Sequence, residues 1–109
     1  MATLYISYFG KVHDSCAGFP MGCEALTTST SSTPASATIP LGAEVFAVYS
    51  ANDHYVCYDA VANTPTAAVG VPNGGTGASF FLPAGTTREI RLGAGHAANS
   101  AKIAAKSLA

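Results

Sequence analysis

The sequence predicts an all-β domain: a small single-domain β-sandwich or barrel of about six to eight short strands with an N-terminal arm. Three observations lead there. Runs rich in β-branched and aromatic residues recur along the chain, at 3–9, 44–50, 54–59, 78–82 and 87–92. Gly, Pro, Asn and Asp punctuate them at the short spacing of an all-β fold. Ala, Gly, Ser and Thr fill 53 of the 109 positions, which suits thin sheets better than thick amphipathic helices. A chain of this length makes one domain. Residues 1–32 read as an N-terminal strand or arm with a loop, and 33–109 as the β-domain, the two forming one structural unit.

Thr3 to Phe9 (TLYISYF) reads as a strand that ends at Gly10. Lys11 to Glu24 contains Gly18, Pro20 and Gly22, lacks a period and reads as a loop. Ala25 to Thr38 is a Ser/Thr tract. Its composition fits a flexible linker, a polar edge strand or an extended arm equally well, since Thr is also a fair strand former.

Glu44 to Ser50 (EVFAVYS) is the clearest strand. Alternation puts Glu44, Phe46, Val48 and Ser50 on one face and Val45, Ala47 and Tyr49 on the other. Ala51-Asn52-Asp53 is turn chemistry, and His54 to Asp59 (HYVCYD) is the next strand, so the pair reads as a β-hairpin. Thr66 to Val71 is a candidate short strand, and Asn73 to Gly77 a flexible loop. Ala78 to Leu82 is a strand. In Thr87 to Leu92, Arg88, Ile90 and Leu92 share one face, and Gly93 to Gly95 is a turn. Phe46, Phe80 and Phe81 are expected in the core.

Two short segments echo one another. Ile39-Pro-Leu-Gly42 and Leu82-Pro-Ala-Gly85 each precede a strand. Pro at the second position and Gly at the fourth suit a type I turn, so equivalent corners are expected in two halves of a sandwich or barrel. The tail from Asn99 to Ala109 is Ala-rich with a possible helix cap. The packing logic of a small β-domain favours a closing strand instead, as short as Lys102 to Lys106.

Only 10% of residues are charged and the net charge is −1. That excludes an electrostatic nucleic-acid binder, which needs a basic face, and a disordered acidic tail. Few charges also fit a surface partly covered by other subunits. The N-terminus lacks the basic, apolar pattern of a signal peptide. The longest uncharged stretch, Ala60 to Thr87, holds three prolines and five glycines, which a membrane helix does not tolerate. A cytoplasmic origin is expected, with exit only as part of an assembly.

Chemistry-bearing residues are few. Cys16, Cys23 and Cys57 are an odd number, which argues against a secreted disulfide scaffold. A Cys16–Cys23 bridge stays open, although free thiols are expected in a reducing compartment. Cys57 reads as a small buried hydrophobe. His13, Cys16 and Cys23 lack the paired spacing of a zinc site. Cys16 or Cys57 with His54 or His96 has no third orienting residue and no nucleophile elbow. His54 reads as a surface turn histidine. The six acids form no motif, and Gly74-Gly-Thr-Gly77 lacks the Lys-Ser/Thr of a phosphate loop. The expectation is no enzyme, no catalytic residue, no cofactor and no metal.

Residues Thr33 to Lys106 resemble small all-β virion proteins of tailed bacteriophages. The resemblance rests on Ala37-Thr-Ile-Pro-Leu-Gly-Ala-Glu-Val-Phe-Ala-Val48, the strand with Cys57, Asn63-Thr-Pro-Thr-Ala67, Ser79-Phe-Phe-Leu-Pro-Ala-Gly85, Arg88-Glu-Ile-Arg-Leu92 and Ala101-Lys-Ile-Ala-Ala105. It covers about two-thirds of the chain; the first 32 residues lie outside it. It implies a structural protein of the virion: a head decoration (cement) protein, or a neck or tail component. The implied partners are the major capsid protein or other virion proteins, with self-association, and neither nucleic acid nor membrane. On that reading the 3–9 strand extends as an arm and adds to a neighbour's sheet, with Leu4, Tyr5, Ile6, Tyr8 and Phe9 as subunit contacts. The alternative for the same strand is a place in the domain's own sheet. A different reading, a carbohydrate- or receptor-binding module, would use exposed tyrosines and the 73–77 loop.

Overall fold

The computed structural model describes residues 2–10, 20–40, 42–58, 78–92 and 102–108. The described residues form eight strands and no helix: β1 (Ala2–Phe9), β2 (Pro20–Thr28), β3 (Thr33–Pro34), β4 (Val45–Tyr49), β5 (His54–Tyr58), β6 (Ala78–Leu82), β7 (Thr87–Arg91) and β8 (Ile103–Ser107). They build two antiparallel four-stranded sheets, ordered β2-β1-β4-β7 and β3-β8-β5-β6. One core joins the inner faces, with Leu4, Ile6, Phe46 and Val48 from the first sheet and Val56, Leu82, Ile103 and Ala105 from the second. The all-β, sandwich-like class read from the sequence is therefore what the chain adopts.

Alternation explains most of the core. Glu44, Phe46, Val48 and Ser50 do share a face, on which Phe46, Val48 and Ser50 are fully buried. In β1 the even residues Ala2, Leu4, Ile6 and Tyr8 point inward. This strand is central, paired with β2 on one side and β4 on the other. A detached N-terminal arm is thus not what Thr3 to Phe9 forms: both its backbone edges are already taken. Strands of the first 32 residues, β1 and β2, share one sheet with β4 and β7.

The 20–28 segment, read partly as loop and partly as Ser/Thr tract, is the edge strand β2. An edge tolerates Pro20 and Gly22 because one side of its backbone needs no ladder partner. The register slips by one residue at Met21, where Tyr8 faces Gly22 and Phe9 faces Pro20. The tail is a strand despite its helix propensity. Ala104 and Ala105 are both fully buried, one on each face of β8, and pairing with β5 and β3 outweighs the few tenths of a kcal/mol that separate propensities.

The expected β4–β5 hairpin does not form. β4 and β5 lie in different sheets, and residues 50–53 make an arch between them. Ser50 turns the chain: its hydroxyl donates to the Thr3 carbonyl at 2.8 Å and accepts from the Asn52 N–H at 3.1 Å. The two echoing corners are equivalent, each carrying the chain into the first sheet. Their frame differs from the expected one by a residue. The turns run Pro40–Ala43 and Pro83–Thr86, each closed by a 3.2 Å hydrogen bond from the last N–H to the proline carbonyl. Gly42 (φ +89°) and Gly85 (φ +74°) thus take the third position, in the left-handed region that glycine adopts freely.

Both open sides of the sandwich are closed. On one, the Glu24 carboxylate accepts the backbone N–H groups of Ser36 and Ala37 at 2.8 and 3.2 Å and holds the strap between β3 and β4. On the other, the Arg88 guanidinium of β7 lies 4.9 Å from the ring centre of Phe80 in β6, a cation–π contact across the sheets.

Candidate functional site

Strand geometry divides the five residues proposed as subunit contacts. Leu4, Ile6 and Tyr8 face the core and are buried, so a folded chain cannot offer them to a partner. Phe9 is half-buried. Tyr5 points outward and is 53% exposed. Sequence reasoning missed its neighbour. Tyr49 of β4 stands directly opposite Tyr5 and is 39% exposed. The two rings stack with centroids 6.5 Å apart and planes 29° from parallel. A central strand flanked by another strand puts two outward residues of equal parity side by side, and that pairing is visible only once register is known.

The surroundings of this pair are small and uncharged. Ala25 faces Tyr5 on one side and Thr87 faces Tyr49 on the other. The next row is Cys23, Ser7, Ala47 and Glu89. Charge on this face is confined to β7, at Glu89 and Arg91. The outer face of the second sheet carries a similar pair, Tyr55 against Phe81 at 5.4 Å and 53°. Phe81, expected in the core, is 40% exposed there; it is the odd-parity neighbour of the buried Leu82.

Between the sheets lies a buried polar network. His54, expected at the surface, is fully buried. One ring nitrogen, Nδ1, is 2.9 Å from the Asn52 carbonyl. A carbonyl only accepts, so Nδ1 carries a proton. The other, Nε2, is 2.6 Å from the Thr28 hydroxyl, itself 3.3 Å from the Ala2 carbonyl. In the neutral ring Nε2 accepts the Thr28 proton. The network ties β2 of one sheet to β5 of the other. It is architectural: a fully buried imidazole reaches no substrate, and Cys57, three residues on, projects from the opposite face of β5, so the two cannot act as a nucleophile and base.

Tyr8 presents the converse case. Its hydroxyl is buried and has no hydrogen-bond partner among the described residues. Burial, reinforced by the nearby Glu24 carboxylate, pushes its pKa from 10.0 up to about 12. The unfolded chain ionises from about pH 10 while the folded one keeps its proton to about pH 12, so stability falls through that window. Tyr8→Phe removes both the stranded hydroxyl and this loss. It is expected to raise stability by about 1 kcal/mol at neutral pH and to flatten the decline above pH 10. Denaturant titrations of both proteins at pH 7 and pH 11 measure it.

Among the described residues no three His, Cys, Asp or Glu side chains converge as metal ligands do. Cys23, exposed, and Cys57, buried, are not joined in a disulfide. Asp53 is engaged structurally, accepting the Ala84 N–H at 2.8 Å. His13, Cys16, His96, the 66–71 strand, the 73–77 loop and the 93–95 turn lie outside the described residues. Compared with known proteins, the chain matches no family model, no curated protein and no solved structure.

Proposed function

We propose that this chain is a non-enzymatic structural protein of a tailed-phage virion, a head decoration protein that bridges neighbouring capsid subunits. The observation that carries the reading is the outer face of the first sheet, charged only on β7, with the stacked and exposed Tyr5–Tyr49 pair on its two central strands. Aromatic residues among small neutral neighbours, with charge only on β7 at Glu89 and Arg91, fit an interface centre, which is depleted of Lys and Glu. The resemblance of residues 33–106 to small virion proteins supports the same role. Such a protein does no chemistry. By binding only the assembled shell it stabilises that shell by mass action. The partner is the major capsid protein or another virion protein, and the location is the virion, after synthesis in the host cytoplasm. A neck or tail position would use the same face.

The test mixes the purified protein with empty capsids of a tailed phage. Saturable, stoichiometric binding and a raised capsid disruption temperature are expected. Tyr5→Ser with Tyr49→Ser should weaken binding at least about tenfold, as loss of an aromatic hot spot does, without altering the fold of the free protein. A protein that ignores capsids defeats the proposal. The same tyrosine pair favours a second reading, a carbohydrate- or receptor-binding module, because two near-parallel exposed rings suit the apolar face of a sugar. Saturable binding of a neutral oligosaccharide, abolished by the same two substitutions, would select it.

A further inference from the structure

Each sheet has two edges, and a bare edge offers unpaired N–H and C=O groups to any passing strand. Three of the four edges are guarded. β7 carries Arg88, Glu89 and Arg91 within five residues. β3 is only two residues long, and one is Pro34. β6 runs for five residues, stops at Pro83 and has the Arg88 guanidinium beside it over Phe80. The fourth edge, β2, has none of these devices along most of its length. It runs for nine residues, longer than any other described strand, and its proline and register slip are confined to the start. Its one charge, Glu24, faces inward and is occupied by the Ser36 and Ala37 N–H groups. Among the described residues β2 pairs with β1 alone. Cys23, Ala25 and Thr27 on its outer side are exposed, small and neutral.

We propose that β2 is the self-association edge of this protein, pairing antiparallel with β2 of a second copy to give one continuous eight-stranded sheet. The occupant follows from symmetry and charge. Antiparallel pairing of a strand with itself obeys a two-fold axis, so a single unguarded edge closes a dimer and goes no further. A partner strand must bring no free charge to this edge, and β2 itself meets that condition, since its one charge, Glu24, is held by the Ser36 and Ala37 N–H groups. The strand-addition chemistry expected of Thr3 to Phe9 thus moves one strand outward, to the neighbour whose backbone is free. The dimer would also set two Tyr5–Tyr49 platforms on one face. The inference stands independently of the virion reading.

Light scattering on the full chain tests it. The expected mass is twice 11.0 kDa, and the amides of residues 20–28 should exchange more slowly as protein concentration rises. Ala25→Lys with Thr27→Lys brings like charges together across the dyad, and a monomer with unchanged strand content is expected. Glu89→Lys, on the guarded β7 edge, should leave the dimer intact. A wild-type protein that stays monomeric to about 1 mM, where even a weak pair is half formed, overturns the proposal. So does a dimer that survives the β2 lysines or dissociates on Tyr5→Ser. Protection of the 20–28 amides only on a capsid would assign the edge to a shell strand instead, and equally overturns it. Should the lysine variant fail to fold, the concentration-dependent exchange of the wild type decides alone.

Discussion

Phe46→Ala is expected to unfold the domain at moderate temperature. Phe46 is fully buried and the largest such side chain in the core. It stands between Tyr8 of β1 and Ile90 of β7 on the inner face of the first sheet. Truncating it removes the transfer free energy of the ring and leaves a cavity that rigid sheet neighbours fill poorly, for a loss of about 3–5 kcal/mol. A domain of this size holds about 5–15 kcal/mol in all. A fall in the thermal midpoint of at least about 12 °C is expected by circular dichroism. A shift of only a few degrees would mean that the two sheets are not packed through Phe46.

His54→Leu is the second large effect, and it has a partner. The substitution keeps volume but removes the ring donor from the Asn52 carbonyl and leaves the fully buried Thr28 hydroxyl with only the Ala2 carbonyl, 3.3 Å away. The expected cost is about 2–4 kcal/mol. Thr28→Val alone leaves the Nε2 lone pair unpartnered and costs about 1–3 kcal/mol. Combined, the two changes replace a hydrogen-bonded pair with an apolar one, so the double variant should be more stable than the sum of the single losses by about 1–2 kcal/mol. Denaturant midpoints of the four proteins measure this coupling. Strict additivity would show that the 2.6 Å contact does not link the sheets.

The legible parts of this molecule are those that local chemistry dictates. Period-two alternation placed Phe46 and Val48, and likewise Ile90 and Leu92, on buried faces, because a pleated strand has only two sides. Proline and glycine spacing marked both corners, since each residue restricts or frees one dihedral angle. The turn frame was missed by one residue because Pro fits the first position of such a turn as well as the second. The exposed Tyr5–Tyr49 pair was half legible. Tyr5 sits in the segment proposed as a contact, but its partner Tyr49 lies 44 residues away, and nothing local pairs them.

Where propensity and packing disagreed, packing prevailed. Residues 103–107 would make a fair helix, yet alanines at consecutive positions are what a strand buried on both faces can accommodate. Asn52-Asp53 would make a fair hairpin, yet the chain uses it to cross between layers, with Ser50 tying the corner to Thr3. His54 looked like a turn residue, and its imidazole instead joins the two sheets. The sequence alone determined that this chain is all-β, weakly charged and built of short alternating strands, because those properties belong to single residues and their immediate neighbours. The tertiary structure alone decided which strand is central and which is an edge, and which aromatic rings meet. Those follow from register and sheet order, and both are settled by contacts between residues far apart in the chain.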